Sequence, residues 1–395
     1  MRNLLYVLLT VVSILFTSCG PSSSTNNPQE PNVPQPQPQP QPEVTQKVVI
    51  GYLPLDDWEF ESLFPSIEWK YLTHINASFA RVKADGTLNI DPVRERIESV
   101  RETAHKHNVK ILISLAKNSP GEFTAAINDP KARKELIQQV IAFTKEYKLD
   151  GFDIDYEEYD NWDKNFPSLL VFARGLYLAK EKGMLMTCAV NSRWLNYGTE
   201  WEQYFDYINL MSYDRGAFTD TPVQHASYED FVKDLKYWNE QCRASKSKIV
   251  GGLPFYGYSW EESLQGAVDD VRGIRYSGIL KHLGNEAADK DNIGKTYYNG
   301  RPTIANKCKF IKENDYAGVM IWQLFQDAHD DNYDLKLINV VGREMSKRLG
   351  DAVFFFKKSD NPFLFRFYFC FPSICVAINL YIFSCLYLVV TSPLC

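Results

Sequence analysis

The chain has 395 residues, a length that fits two or three domains but also a single α/β barrel of up to about 300 residues with appendages. Its composition, 45% apolar, 14% aromatic and 23% charged, excludes a wholly disordered or collagen-like chain. A net charge of -6 without any long basic run argues against nucleic acid as a partner, because a polyanion binder clusters Lys and Arg.

In chain order, residues 1–18 have the form of a secretory signal, with Arg2 as the charged start, an apolar stretch from Leu4 to Phe16, and small Thr17 and Ser18 before Cys19. The run Phe16-Thr17-Ser18-Cys19 resembles a bacterial lipobox, with Phe16 where Leu is usual, so cleavage would leave Cys19 open to lipidation. An uncleaved anchor is the alternative, but the apolar run is shorter than the ~20 residues a span needs. The expected location is therefore the bacterial cell envelope, as an exported lipoprotein held to the membrane through Cys19. Residues 19–46 are rich in Ser, Asn, Gln and Pro and include a strict Pro-Gln alternation from Pro34 to Pro42. Alternating Pro favours polyproline II and cannot build a core, which predicts a semi-rigid linker.

From residue 47 onward short β-rich runs alternate with helical stretches or long loops. The runs are Val48 to Tyr52, His74 to Phe79, Lys110 to Leu115, Gly151 to Tyr156, Leu185 to Val190, Tyr207 to Met211, Lys248 to Phe255 and Gly318 to Trp322. Helical patterns include Pro92 to His107, Pro130 to Tyr147 and Tyr228 to Gln241, with a closing helix over Leu335 to Leu349. Eight strands in β-then-α order predict a (β/α)8 TIM barrel of the α/β class, spanning residues 47–350. An open doubly wound sheet is the rival, but no Gly-rich phosphate turn follows the first strand. In a barrel the chemistry belongs at the C-terminal strand ends.

The fourth run ends Asp153-Ile154-Asp155-Tyr156-Glu157-Glu158. A strand period of two puts Asp153, Asp155 and Glu157 on one face and Phe152, Ile154 and Tyr156 on the other. Three anions in a row inside a barrel would be costly, so at least one should hold a proton. Glu157, the outermost, is the candidate general acid, with Asp155 placed to take or share charge. A calcium loop starting at Asp153 fails, since Glu158 stands at the required Gly and Lys164 at the closing Glu. No metal and no cofactor are expected.

The run Asp150-Gly-Phe-Asp-Ile-Asp-Tyr-Glu157 resembles the DGxDxDxE signature of glycoside hydrolase family 18, which holds chitinases, endo-β-N-acetylglucosaminidases and chitinase-like lectins. Further segments are similar in the same order. Met211-Ser-Tyr213-Asp214 resembles the family's M-x-Y-D, Gly252-Leu-Pro-Phe-Tyr256-Gly257 its seventh-strand segment, and Gly318-Val-Met-Ile-Trp322 its eighth. Gly51-Tyr52 and His74-Ile-Asn-Ala-Ser-Phe79-Ala80 match the opening strands.

The resemblance implies retention through the substrate's own N-acetyl group, an exception to the two-carboxylate rule. Glu157 would protonate the glycosidic oxygen and Asp155, above Asp153, would orient the amide. Tyr213 would bond the acetamido oxygen, Asp214 would support that site, and Trp322 would floor the reacting sugar. Met211, Tyr256, Tyr52 and Phe79 would complete the binding surface, although an aromatic at a barrel end can equally be plain core. The implied partner is an oligosaccharide or polysaccharide containing N-acetylglucosamine, met by a monomer. Chitin, the chitobiose core of N-glycans and peptidoglycan-derived sugars all fit, and a non-catalytic lectin is the alternative class, which the intact acid disfavours.

Three departures from the family pattern stand out. Ser114-Leu115-Ala116-Lys117 replaces the usual S-x-G-G, so Lys117 narrows or charges that side of the cleft. Tyr258 stands where many members have Arg, which removes a donor. The chain between Trp260 and Ala317 is too short for a large α+β insertion, which predicts a shallow, shorter cleft. Cys188, Cys242 and Cys308 make neither a disulfide framework nor a zinc site. Residues 351–395 form a hydrophobic tail, uncharged between Phe367 and Val390 and long enough to cross a bilayer, but Pro372 and Asn379 make it a poor helix. A membrane-associated tail and a non-native extension are both open.

Overall fold

The computed structural model describes residues 47–346 apart from Phe218 and residues 268–271, together with the backbone of four strands between 353 and 390. The expected signal and linker, residues 1–46, lie outside the described residues.

Eight parallel strands close into a barrel: β1 Val48–Pro54, β2 His74–Val82, β3 Lys110–Lys117, β4 Gly151–Asp155, β5 Leu185–Asn191, β6 Tyr207–Met211, β7 Ile249–Pro254 and β8 Gly318–Trp322. Each pairs with its neighbours in chain order, and β1 closes the ring. Gly51 lies beside Ile75 of β2 on one side and Ile321 of β8 on the other. The expected (β/α)8 barrel is therefore the observed fold.

The alternation read in β4 places its residues as expected. Phe152 and Ile154 are buried against the outer helices, while Asp153 and Asp155 point into the barrel. Burying each outward apolar side chain of this size contributes about 1.5–3 kcal/mol, which favours this register over one slipped by a residue. The helix Pro130–Glu146 begins where Asp129 accepts a hydrogen bond from the Ala132 amide, and it buries Ala132, Leu136, Val140 and Phe143 on one face. Tyr228–Glu240 is capped by Ser227 and buries Phe231, Leu235 and Trp238.

The helix expected over Pro92 to His107 is two pieces, Asp91–Arg94 and Ile97–Lys106. At the break the Arg96 guanidinium turns inward to donate to the Leu55 carbonyl at 2.5 Å and the Asp57 carbonyl at 3.3 Å, tying the helix to the loop after β1. The closing helix is Leu337–Ser346. Trp162–Ala179, a long helix that the pattern did not single out, carries Pro167 in its first two turns.

The segment between β7 and β8 is small but not bare. It forms a four-stranded antiparallel sheet, Gly273–Arg275, Tyr256–Ser259, Thr296–Tyr297 and Asn292–Ile293 in spatial order, with the helix Tyr276–Leu283. Cys188, Cys242 and Cys308 are buried free thiols. In the tail, Val353–Lys358, Leu364–Phe371, Ile374–Ile382 and Leu386–Val390 pair as an antiparallel meander. No helix among the described residues is long and apolar enough to cross a membrane.

Candidate active site

Asp153, the deepest of the three acids, is fully buried and surrounded by uncharged donors. It accepts from the Tyr52 hydroxyl at 2.7 Å, Ser114 Oγ at 2.7 Å, Thr187 Oγ1 at 2.5 Å and Asn209 Nδ2 at 3.5 Å. Burial raises its pKa above the usual carboxylate range, and these hydrogen bonds oppose the rise. The donors come from β1, β3, β5 and β6, so the barrel's closure, not any local motif, assembles the cradle.

Asp155 lies one pleat above, 7% exposed, and its Oδ1 has no hydrogen-bond partner among the described residues. Burial pushes its pKa well up, and the charges of Glu157 and Asp153 push the same way. Glu157 follows the end of β4 and faces the open cleft. It is exposed to solvent, and its partial desolvation by the surrounding walls is the largest influence on its proton affinity. Burial raises its pKa, Lys117 opposes, and the charge of Asp214 adds to the rise. Burial thus raises the proton affinity of all three acids of the ladder.

Across the cleft, the loop after β6 carries Tyr213 and Asp214. Gly252 of β7 is what lets Tyr213 sit there, since a Cβ at that position would stand 2.2 Å from the Leu210 carbonyl oxygen and 2.9 Å from the Tyr213 ring. Asp214 adopts a left-handed φ of 66° and accepts from the hydroxyls of Tyr256 and Tyr258, the latter at 2.9 Å. Burial pushes Asp214 up, but the neighbouring His225 and the two tyrosine hydroxyls outweigh it and hold its pKa below the ordinary value. Tyr258 therefore supplies a donor, contrary to the expectation that it removes one: the Tyr256–Ser259 strand aims alternate side chains, Tyr256 and Tyr258, at one carboxylate.

Trp322 at the end of β8 is half-buried and borders the cleft throughout. Its ring lies 5.9 Å from that of Phe79, stacked, and 5.5 Å from that of Tyr52. Phe79 is partly exposed on the cleft wall, but Tyr52 is only 1% exposed and its hydroxyl is committed to Asp153. Tyr52 borders the smaller lobe, but it is deeply buried there and its hydroxyl is spent on Asp153, because β1 directs it into the barrel. Tyr256 is largely buried and donates to Asp214, and both it and Met211 border the open space beside Glu157.

The open space has two lobes that share Glu157, Met211, Tyr213, Asp214 and Trp322. The larger, about 520 Å³, extends past Tyr159, Asn191, Ser192, Trp194 and Tyr258 to Gly273 and Ile274 of the small sheet. The smaller, about 270 Å³, extends past Phe79, Arg81, Ala116 and Lys117. The small sheet thus walls one lobe, where the short β7–β8 segment alone predicts a shallow cleft. Lys117 does charge the other side, with Nζ donating to the Glu157 carbonyl at 3.2 Å.

Sequence reasoning missed Thr187, Asn209 and His225, which lie on strands and loops without a motif of their own. Inward positions of β5 and β6 were the only available signal. Glu158 is turned off the cleft and accepts from the Gly121 and Thr124 amides at the start of the helix Glu122–Asn128. Among the described residues no group of three or more His, Cys, Asp or Glu side chains could hold a metal ion.

Comparisons with known proteins agree with this geometry. A crystal structure of a chitinase from Bacteroides thetaiotaomicron is 96% identical, with a TM-score of 0.76, over 76% of this chain and 97% of that one. The chitinase ChiB from the chitin utilization locus of Flavobacterium johnsoniae is 30% identical, with a TM-score of 0.65, over 76% and 94%. Probable chitinase 10 of Drosophila melanogaster is 27% identical over 319 residues, an alignment that takes in 65% of this chain but only 14% of that relative's length. With residues 48–327 matching the family model, and with the acid ladder, Tyr213, Asp214 and Trp322 gathered at the C-terminal strand ends, the chain belongs to the Glycosyl hydrolases family 18.

Proposed function

We propose that this chain is an endo-acting, chitinase-like glycoside hydrolase that cleaves β-1,4 linkages at N-acetylglucosamine with retention, using the substrate's acetamido group as nucleophile. The observation that carries this reading is the placement of the carboxyls. Glu157 is accessible and its pKa is raised by burial, Asp155 shares its strand and face, and Asp214 is tied to Tyr256, Tyr258 and His225. None of these offers a carboxylate nucleophile on the opposite side of a sugar from Glu157, as a two-carboxylate retaining enzyme requires.

In the proposed reaction Glu157 gives its proton to the glycosidic oxygen as the bond from that oxygen to the anomeric carbon breaks. The acetamido oxygen forms the new bond to that carbon, and the resulting oxazolinium charge is met by Asp155. Water then attacks the anomeric carbon, its proton passes to the Glu157 carboxylate, and the oxazolinium ring opens. Tyr213 donates to the acetamido oxygen, Asp214 supports that site, and Trp322 with Phe79 provides the apolar floor. The name of the 96% identical chain supports chitin-type oligomers as the substrate. The sequence of residues 1–46 supports export and a tether through lipid on Cys19.

The test is a matched pair of oligomers, acetylated and deacetylated at the reacting sugar, with products read by mass spectrometry. Cleavage of the acetylated oligomer alone is expected. Efficient hydrolysis of fully deacetylated chitosan, or capture of a covalent glycosyl-enzyme, would overturn the mechanism. A high-mannose glycopeptide in the same assay separates action on N-glycans from action on chitin.

A further inference from the structure

Behind the larger lobe lies a cluster of charged side chains that the proposed reaction does not use. At its centre is Asp234, fully buried on the helix Tyr228–Glu240 and bordering neither lobe of the cleft. It stands in the apolar stripe of that helix, between Phe231 and Trp238, where the periodicity calls for a core residue. A carboxylate taken out of water needs a charged partner. Asp234 has two. Arg215 Nη2 donates to both of its oxygens, at 2.6 and 2.7 Å, and Arg193 Nε lies 2.6 Å from its Oδ1.

The two arginines come from two different loops of the cleft wall. Arg215 follows Tyr213 and Asp214 in the loop after β6, and its amide donates to the His225 carbonyl at 3.1 Å. Arg193 stands between Ser192 and Trp194 in the loop after β5, and its Nη2 donates to Asp230 of the same helix at 2.7 Å. Ser192 joins the loops, since its Oγ accepts from Arg215 Nη2 at 2.8 Å and its carbonyl from Trp238 Nε1 at 2.7 Å. Asn191, Ser192, Trp194, Tyr213 and Asp214 all border the larger lobe. Trp194 is 64% exposed, so its place depends on the loop that carries it.

Stability alone does not call for this arrangement. A buried ion pair is often no more stabilising than apolar side chains of the same volume, and its best-attested use is to select one geometry among several. A planar guanidinium that spans two carboxylate oxygens and a hydroxyl fixes direction as well as distance. Asp214 needs such a hold, because its left-handed φ of 66° is one that a residue with a side chain keeps only where its surroundings impose it.

We propose that Asp234 is a positioning residue, drawing the loop of Tyr213 and Asp214 and the loop of Asn191 to Trp194 onto one helix through Arg215 and Arg193. The proposal rests on the glycosidase reading above, in which the first loop acts on the acetamido group and the second borders the sugar chain. Arg215 then bears on the chemical step and Arg193 on binding.

The test compares the full-length variants Arg193→Gln, Arg215→Lys and Asp234→Asn with the unmodified protein. Chitopentaose hydrolysis gives kcat and KM, and hydrogen exchange read by mass spectrometry follows residues 191–198 and 212–217. Arg193→Gln should raise KM roughly 3- to 10-fold with kcat nearly unchanged, and exchange should quicken in the first segment. Arg215→Lys keeps a charge beside Asp234 but cannot span both oxygens and Ser192, so kcat should fall about 10-fold and exchange should quicken in the second segment. Asp234→Asn should produce both changes. If Asp234→Asn fails to fold, the two arginine variants, each of which leaves Asp234 one cationic partner, decide the matter. A lowered Tm with kcat, KM and exchange unmoved would overturn the proposal, and so would the same change in kcat and KM from both arginine variants. Absence of hydrolysis by the unmodified protein would overturn the glycosidase reading instead, and exchange in the two segments would still decide the role of Asp234.

Discussion

Replacing Glu157 by Gln separates chemistry from structure at this site. The side chain faces the cleft, and the Lys117 hydrogen bond goes to the backbone carbonyl, which Gln retains. Stability should therefore move by no more than about 0.5 kcal/mol, roughly 1–2 °C in Tm for a domain of this size. The catalytic loss should be far larger. Removing a general acid costs about 10²- to 10⁴-fold, which is about 3–5 kcal/mol of transition-state stabilisation. Wild-type activity should fall as pH rises through the raised pKa of Glu157, because the acid works only while protonated, and that alkaline limb should vanish in the variant. Chitopentaose hydrolysis followed by mass spectrometry gives the loss. An aryl glycoside whose phenolate leaves without a proton provides the control and should recover much of the first step. Oligosaccharide hydrolysis within tenfold of wild type, or equal losses on both substrates, would refute the assignment of Glu157 as the acid.

Glu158→Gln should cost about 0.5–2 kcal/mol of stability through the weakened cap at Gly121 and Thr124, with kcat nearly unchanged; a loss of kcat without a Tm shift would contradict that placement. Trp322→Ala should weaken binding of acetylated oligosaccharides, measured by calorimetry on the Glu157→Gln background, more than it lowers Tm, and a collapse in Tm with unchanged binding would return Trp322 to the core. Lys307 is fully buried, donates to the Ala226 carbonyl at 2.9 Å and to Asn299 Oδ1 at 2.7 Å, and has its pKa pushed by burial from 10.5 down to about 7. Its contribution is therefore complete above the ordinary lysine value and is lost as pH falls through about 7. Between these limits the unfolded chain binds one more proton than the native one, so wild-type stability relative to Lys307→Met should rise by about 1.4 kcal/mol per pH unit. Urea titrations at pH 7.5, 8.25 and 9 measure that slope, and a flat difference would mean that Lys307 stays charged in the core.

The barrel was legible because its information is local. Each strand is a short apolar run, and a period of two in β4 is sufficient to send Phe152 and Ile154 outward and Asp153 and Asp155 inward wherever the strand lands in the sheet. The acid ladder and the order of the family motifs follow from that pattern. Helices were less legible where a local signal opposed the outcome. Pro167 sits in the early turns of Trp162–Ala179 and disguises its start, and Arg96 breaks a continuous pattern because its guanidinium finds carbonyls in a loop about 40 residues earlier.

What tertiary structure alone decided is which partners each functional group has. The donors to Asp153 come from residues 34 to 101 positions away, and the tyrosines on Asp214 from 42 and 44 positions away. The sequence presents Tyr258 as a lost donor, whereas the fold turns it to one carboxylate together with Tyr256, which also borders the cleft. Tyr52 borders the smaller lobe, and its hydroxyl is taken by an acid on the facing strand. Periodicity determines which way a side chain leaves its own strand, but a hydrogen bond needs a second atom within about 3 Å, and only the closing of eight strands into one ring brings that atom into place.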